Sequence, residues 1–315
     1  MFSNLEWILF GVIVLLVGSI MIYFFTGRTL FHLFVKRNNY VEKAFSRKFG
    51  KLMKRYKVNY KWWDKFPNEV FNIQSYDGLD LYGRILRQPQ KTNKTAIVVH
   101  GFMSRHKDMQ TFVKYFYDRG YNVLAVDNRA HGLSGGDYVG MGWVDRLDLL
   151  KWIDLVIEKF GKRTQIVLFG LSMGGATVCM TSGEELPSNV KCIVSDSAFD
   201  NVYNQFFYVM KRQLKFTAFS LMGTFDIYNK LFFGENIKDH DTISQVKKSK
   251  TPILIIHGDK DNFVPVEMAY KIYDAIKPEL RDILIVKNAW HGESQAKNTT
   301  AYNKKLDEFI SKYIK

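Results

Sequence analysis

Cysteine is scarce: two residues, Cys179 and Cys192, in a chain of 315. Two thiols make no disulfide framework. Both fall inside predicted core elements, where cysteine acts as a small apolar residue. No C-x-x-C and no His/Cys cluster with metal-ligand spacing is present, so no metal or other cofactor is expected. Internal repeats and low-complexity segments are lacking too, and 47% apolar with 24% charged residues excludes disorder for most of the chain. Acids are in the minority, 31 against 45 Lys and Arg, and the imbalance is local. Before residue 66 there are twelve basic residues and three acids, a surplus of nine out of a net +14. A basic chain can bind nucleic acid, but no recognition motif accompanies this charge, so none is expected as a partner. A basic block beside an apolar run suits an anionic lipid surface better.

That run has no charge and no proline. Trp7 to Phe25 reads WILFGVIVLLVGSIMIYFF, close to the ~20 residues that cross a ~30 Å hydrocarbon core. It lacks the polar face of a core helix. It also lacks the basic n-region and small-residue cleavage site of a signal peptide. Residues 1–27 are therefore expected to be a retained transmembrane anchor of a single-pass cell-membrane protein. The basic residues all follow the span, which predicts a cytoplasmic location for the rest of the chain. Residues 28–67 are expected to form a basic juxtamembrane connector. In it Phe31, Phe34, Val35, Phe45, Phe49, Leu52 and Met53 alternate with basic residues at helical spacing. Such a segment either lies on lipid or is a solvated linker helix with a few apolar contacts.

From residue 68 to 315 the pattern is that of one catalytic domain. Glu69–Ser75 and Leu79–Leu86 flank the turn signal Tyr76-Asp77-Gly78 and predict a hairpin. Apolar strands are expected at Thr95–His100, Tyr121–Asp127, Gln165–Gly170, Val190–Asp196, Pro252–His257 and Asp282–Lys287. Helices are expected between them at Met109–Arg119, Val144–Phe160, Ser172–Ser182, Val266–Ile276 and Thr299–Tyr313. The alternation predicts a doubly wound, mostly parallel eight-stranded α/β sheet, with ligands bound beyond the carboxyl ends of its strands.

Four segments at such ends carry chemistry. Gly170-Leu171-Ser172-Met173-Gly174 is a G-x-S-x-G between strand and helix. A tight turn there projects the Ser172 hydroxyl and aims the Met173 N–H at a developing oxyanion. His100-Gly101-Phe102 ends an earlier strand, where the Phe102 N–H is placed to be the second donor. After a late strand, Asp259 and Asp261 are both candidates to orient an imidazole, and the residues alone do not separate them. His291 follows the last strand. Of seven histidines it alone lies after both serine and acid, in the order Ser, Asp, His. The Gly-rich run from Asp127 to Gly136 has no Lys-Ser/Thr after its last glycine and is no phosphate loop.

Together these motifs resemble the α/β-hydrolase superfamily over residues 68–315. They are HGF at His100, D-x-R-x-H-G-x-S-G-G from Asp127, G-L-S-M-G-G around Ser172, H-G-x-x-D-x-x-V-P from His257, and H-G at His291. The chain looks most like N-terminally anchored bacterial hydrolases related to the prolyl-oligopeptidase-like and monoacylglycerol-lipase-like branches. The resemblance implies a Ser172–Asp261–His291 triad, choosing Asp261 over Asp259. It also implies a small helical cap at about 200–241, a segment rich in aromatics that include Phe206, Phe216, Phe225, Tyr228 and Phe232. Those aromatics are expected either to line an acyl site or to hold the cap down. The activity implied is cleavage of acyl esters bearing an apolar group, through an acyl-enzyme. A serine peptidase or thioesterase with the same triad is the near alternative, and a non-catalytic tethered binding protein the distant one.

Overall fold

The computed structural model describes residues 3–38, 62–67, 69–214 and 218–315. Among these, eight strands form one sheet: β1 (Glu69–Gln74), β2 (Asp80–Leu86), β3 (Lys94–Val99), β4 (Asn122–Val126), β5 (Gln165–Leu171), β6 (Val190–Asp196), β7 (Ile253–Gly258) and β8 (Arg281–Val286). Their order is β1-β2-β4-β3-β5-β6-β7-β8. β1 and β2 form the expected hairpin, β2 runs antiparallel to β4, and the pairs from β4 to β8 are parallel.

The chain divides into two compact units, residues 37–202 with 241–315, and residues 1–36 with 203–240. The sheet belongs to the first. Its central strands are buried on both faces, which is why they read as unbroken apolar runs. On one face Val98, Val167, Phe169 and Val194 point into a single core cluster with Phe112, Phe116, Tyr302 and Phe309. The ring of Phe169 lies 4.5 Å from that of Phe112 and 5.9 Å from that of Phe116. Phe112 and Phe116 belong to α2 (Gln110–Tyr117), and Tyr302 and Phe309 to a C-terminal helix over Thr299–Ile310. Each such ring contributes about 2–3 kcal/mol by leaving water. The opposite face is covered in part by α3 (Asp145–Phe160), whose Trp152 packs so closely on β2 that a Cβ at Gly83 would sit 2.9 Å from it. The chain enters this unit at Arg37, whose guanidinium donates to the carbonyls of Gly132 (2.7 Å) and Ser134 (2.6 Å).

The second unit holds α1 (Asn4–Val35) with two helices of the insertion between β6 and β7, α5 (Val202–Leu214) and α6 (Ala218–Phe233). In the sheet unit, α4 (Met173–Thr181) follows β5. α1 continues to Val35, past the expected end of the anchor at 27, because Phe31 is part of a packed seam. Its ring stacks on Phe232 (5.3 Å) and meets Phe225 edge-on (5.2 Å), with Tyr228 at 6.1 Å. Phe34 meets Phe206 at 5.6 Å. The expected cap is thus helical. Its aromatics Phe206, Phe225, Tyr228 and Phe232 are engaged with α1, a role neither of the two sequence expectations named. Phe45, Phe49, Leu52, Met53 and Phe216 lie outside the described residues.

Candidate active site

β5 ends at Leu171 and α4 begins at Met173, so a single residue turns the chain. Ser172 does so at φ 58°, ψ −118°, a conformation that costs an L-residue strain. Two close approaches hold it there. A side chain at Gly170 would overlap the backbone of Gly174, and one at Gly174 would overlap the carbonyls of Val99 and His100. The Ser172 N–H donates to the Asp196 carbonyl at 2.7 Å, tying the turn to the end of β6. The N–H of Met173, the first residue of α4, has no carbonyl in its own helix to reach.

His291 lies in the loop after β8 and brings the distant segments together. Its Nε2 is 2.8 Å from Ser172 Oγ, and its Nδ1 is 2.7 Å from Asp261 Oδ2. Asp261 Oδ1 accepts from the backbone N–H groups of Phe263 (2.9 Å) and Val264 (2.8 Å). Its side chain is wholly buried, whereas that of His291 is 21% exposed. Burial alone would push the Asp261 carboxyl up, but the imidazoles of His291 and His257 outweigh it and hold it well below the usual carboxylate range. Asp261 is therefore a carboxylate, and its acceptor set selects the His291 tautomer protonated on Nδ1. That leaves Nε2 free to accept from the serine.

Asp259, the other candidate acid, accepts from the Asn288 N–H at 2.6 Å. It braces the loop that carries His291 and is not a partner of the imidazole. One neighbour of the site went unassigned in the sequence. His257 Nε2 stands 3.2 Å from Asp261 Oδ2 and 2.9 Å from the Val264 carbonyl, with no solvent exposure. The i, i+4 spacing to Asp261 was visible in H-G-x-x-D, but only the strand end makes it a contact.

The loop of His100 to Met103 crosses in front of the nucleophile. A Cβ at Gly101 would stand 3.1 Å from Ser172 Cβ, so any side chain there would crowd the nucleophile. Two buried histidines shape the loop. His100 Nε2 accepts from the Asn128 N–H (2.9 Å) and its Nδ1 donates to the Gly101 carbonyl (2.7 Å). His131 Nε2 accepts from the Met103 N–H (3.1 Å) and its Nδ1 donates to the Arg129 carbonyl (2.9 Å). Burial pushes both imidazoles down, His131 to about 3, so both are neutral and their donor and acceptor sides are fixed. Behind them Asp127 accepts from the N–H groups of His106 (2.6 Å) and Leu133 (2.9 Å), and Arg129 is bidentate to both Asp148 and Asp77. The Gly-rich run from Asp127 is thus a scaffold for the loop bearing Phe102. Among the described residues no group of three or more His, Cys, Asp or Glu is arranged to hold a metal ion.

Comparison with known proteins bears on the family and the fold. The model of the prolyl oligopeptidase family matches residues 107–315. The YqkD protein of Bacillus subtilis is 28% identical over 247 residues, covering 78% of this chain and 80% of its own length. Among solved structures, the Pyrococcus furiosus esterase Pf2001 superposes with a TM-score of 0.64 at 22% identity, over 80% of this chain and 94% of its own. The acylaminoacyl peptidase of Pyrococcus horikoshii gives 0.58 at 18% identity, over 82% and 44%. At such identities the structural likeness is one of fold, and the fold is that of the α/β hydrolases.

Proposed function

The chain belongs to the prolyl oligopeptidase family, and we propose that it is a membrane-anchored serine hydrolase that cleaves acyl esters. The observation that carries this reading is the unbroken chain of contacts from Ser172 Oγ to His291 (2.8 Å) and on to Asp261 (2.7 Å). In the proposed reaction His291 Nε2 takes the Ser172 proton as Oγ attacks the ester carbonyl. The N–H groups of Met173 and Phe102 receive the negative charge on the carbonyl oxygen. His291 then gives its proton to the departing alcohol, leaving an acyl-serine. Water repeats the cycle and releases the acid. Asp261 remains ionised throughout and stabilises the imidazolium. No step calls on a metal or cofactor.

An apolar acyl group is favoured by Phe263, 42% exposed, whose ring centroid lies 5.0 Å from that of His291. The family match favours a peptidase as the second reading. A panel of p-nitrophenyl esters, acyl thioesters and peptide anilides separates the leaving groups. Labelling by a fluorophosphonate that vanishes in Ser172→Ala is expected. Equal labelling of the two proteins would refute the nucleophile.

Membrane anchoring rests on α1, which is long and apolar enough to span a bilayer. Its exposed side chains from Leu5 to Phe25 are apolar apart from Glu6 and the small polar Ser19, and Arg28 follows. The basic flank favours a cytoplasmic catalytic domain. Protease digestion of sealed vesicles of known orientation checks the side.

A further inference from the structure

The anchor and the cap form one unit, and this seam carries information about the cap. Residue numbers rise together along the two helices. A Cβ at Gly223 would sit 3.4 Å from the Tyr23 hydroxyl, one at Gly27 would overlap Thr224, and Phe31 packs on Phe225 and Phe232. α1 and α6 therefore run side by side in the same direction. The apolar run of α1 ends at Phe25 and the first cation is Arg28, so the hydrocarbon boundary falls near these residues. The Tyr228 hydroxyl donates to the Phe24 carbonyl at 3.4 Å, which sets this part of α6 at the same level. At 1.5 Å per residue, the stretch of α6 alongside Phe31 lies within roughly 10 Å of that boundary, the depth of the headgroup layer and its acyl border.

The side of α6 away from the seam is apolar where a water-facing helix would be polar. Ile227 is 52% exposed and Leu231 73%. Leu231 is as exposed as Leu15 in the middle of α1. Ile227 and Leu231 share a face by their i, i+4 spacing, and the exposed Lys230 sits beside them. This stripe continues the lipid-facing surface of α1 and ends in a cation suited to anionic headgroups. The geometry points to a bilayer contact on α6: Ile227 and Leu231 rest at the headgroup–acyl border, with Lys230 toward the phosphates. The cap is then a membrane-surface element in its own right. The inference rests on the membrane-anchor reading of α1.

The two natural cysteines are fully buried, and burial pushes the Cys179 thiol up to about 12, so an introduced thiol takes a label selectively. The full chain is placed in nanodiscs of phosphatidylcholine with phosphatidylglycerol. An environment-sensitive nitrobenzoxadiazole is attached at Ile227→Cys, Leu231→Cys, Leu15→Cys or the exposed Tyr270→Cys of the sheet unit. Quenching by lipids with a doxyl group near the headgroup is compared among the sites, after matched thermal melts. Sites 227 and 231 are expected to be quenched at least about twofold more than site 270, with blue-shifted emission. Quenching equal to that at 270, with site 15 protected deep in the bilayer, overturns the α6 contact alone. Water-like emission at site 15 as well overturns the anchor reading on which it rests. Blue-shifted emission at 231 that ignores the doxyl lipids, together with cross-linking between two copies at that site, assigns the stripe to a second chain and overturns the lipid contact.

Discussion

The two aspartates after β7 offer the sharpest test of the catalytic reading. Asp261 accepts four contacts, two from backbone N–H groups and two from imidazoles. In Asp261→Asn the amide oxygen keeps the Phe263 and Val264 bonds, which fixes the amide NH2 toward His291 Nδ1. Two donors cannot face each other, so His291 takes the tautomer protonated on Nε2 and loses the ability to receive the Ser172 proton. The same loss of tautomer control in a serine triad lowers kcat by about 10⁴, or roughly 5–6 kcal/mol of transition-state stabilisation. Asp259→Asn keeps an acceptor for the Asn288 N–H, so a loss within about tenfold is expected, the scale of one weakened hydrogen bond. Hydrolysis of a short p-nitrophenyl ester by both variants, with melting curves to show that each is folded, reads the difference. Asp261→Asn retaining activity within tenfold, or Asp259→Asn falling as far, would refute the assignment.

Other consequences are checked more simply. Asp145 is buried beside the carboxylate of Asp148, and burial pushes it up to about 6. A raised folded pKa means that the folded chain holds this proton more tightly than the unfolded chain. Stability is therefore lost as pH rises from about 4 to about 6. Asp145→Asn should be the more stable protein at pH 7, and the gap between the two melting curves should close near pH 4. Gly174→Ala drives a methyl into the Val99 and His100 carbonyls and should cost at least about 3 kcal/mol, read by urea unfolding. His131→Ala strips the Met103 N–H of its acceptor and should destabilise by about 1–3 kcal/mol while lowering kcat more than it raises KM. Phe31→Ala empties a site among Phe225, Tyr228 and Phe232 and should cost about 3–5 kcal/mol locally, seen as faster proteolysis within residues 203–240.

The sheet was legible because its strands are buried on both sides and punctuated by turn chemistry; predicted and observed limits differ by a residue or so, as at β5 and β8. The nucleophile turn was legible because glycines at 170 and 174 have one steric reason to flank a serine there. The acid was not legible from the residues alone. Asp259 and Asp261 occupy one loop, and what separates them is the position of His291 Nδ1, thirty residues on from Asp261 in the loop after β8. His257 was overlooked because a histidine on a strand gives no sign of what faces it. The cap aromatics were read without their partner, since nothing in residues 203–240 announces that they meet Phe31. The same long-range pairing explains why a boundary drawn from charge at residue 27 stops short of the helix end at Val35.

That pairing also imposes an order of events during synthesis. Phe31 leaves the ribosome early, while Phe225 and Phe232 follow about 200 residues later, or roughly 10–40 s at ordinary elongation rates. Throughout that interval the nascent helix α1 carries an aromatic face whose partners have not yet been made. A factor that shields such faces has that window in which to occupy it. Slowing translation ahead of codon 225 should lengthen the exposure and raise the fraction of chains lost to quality control.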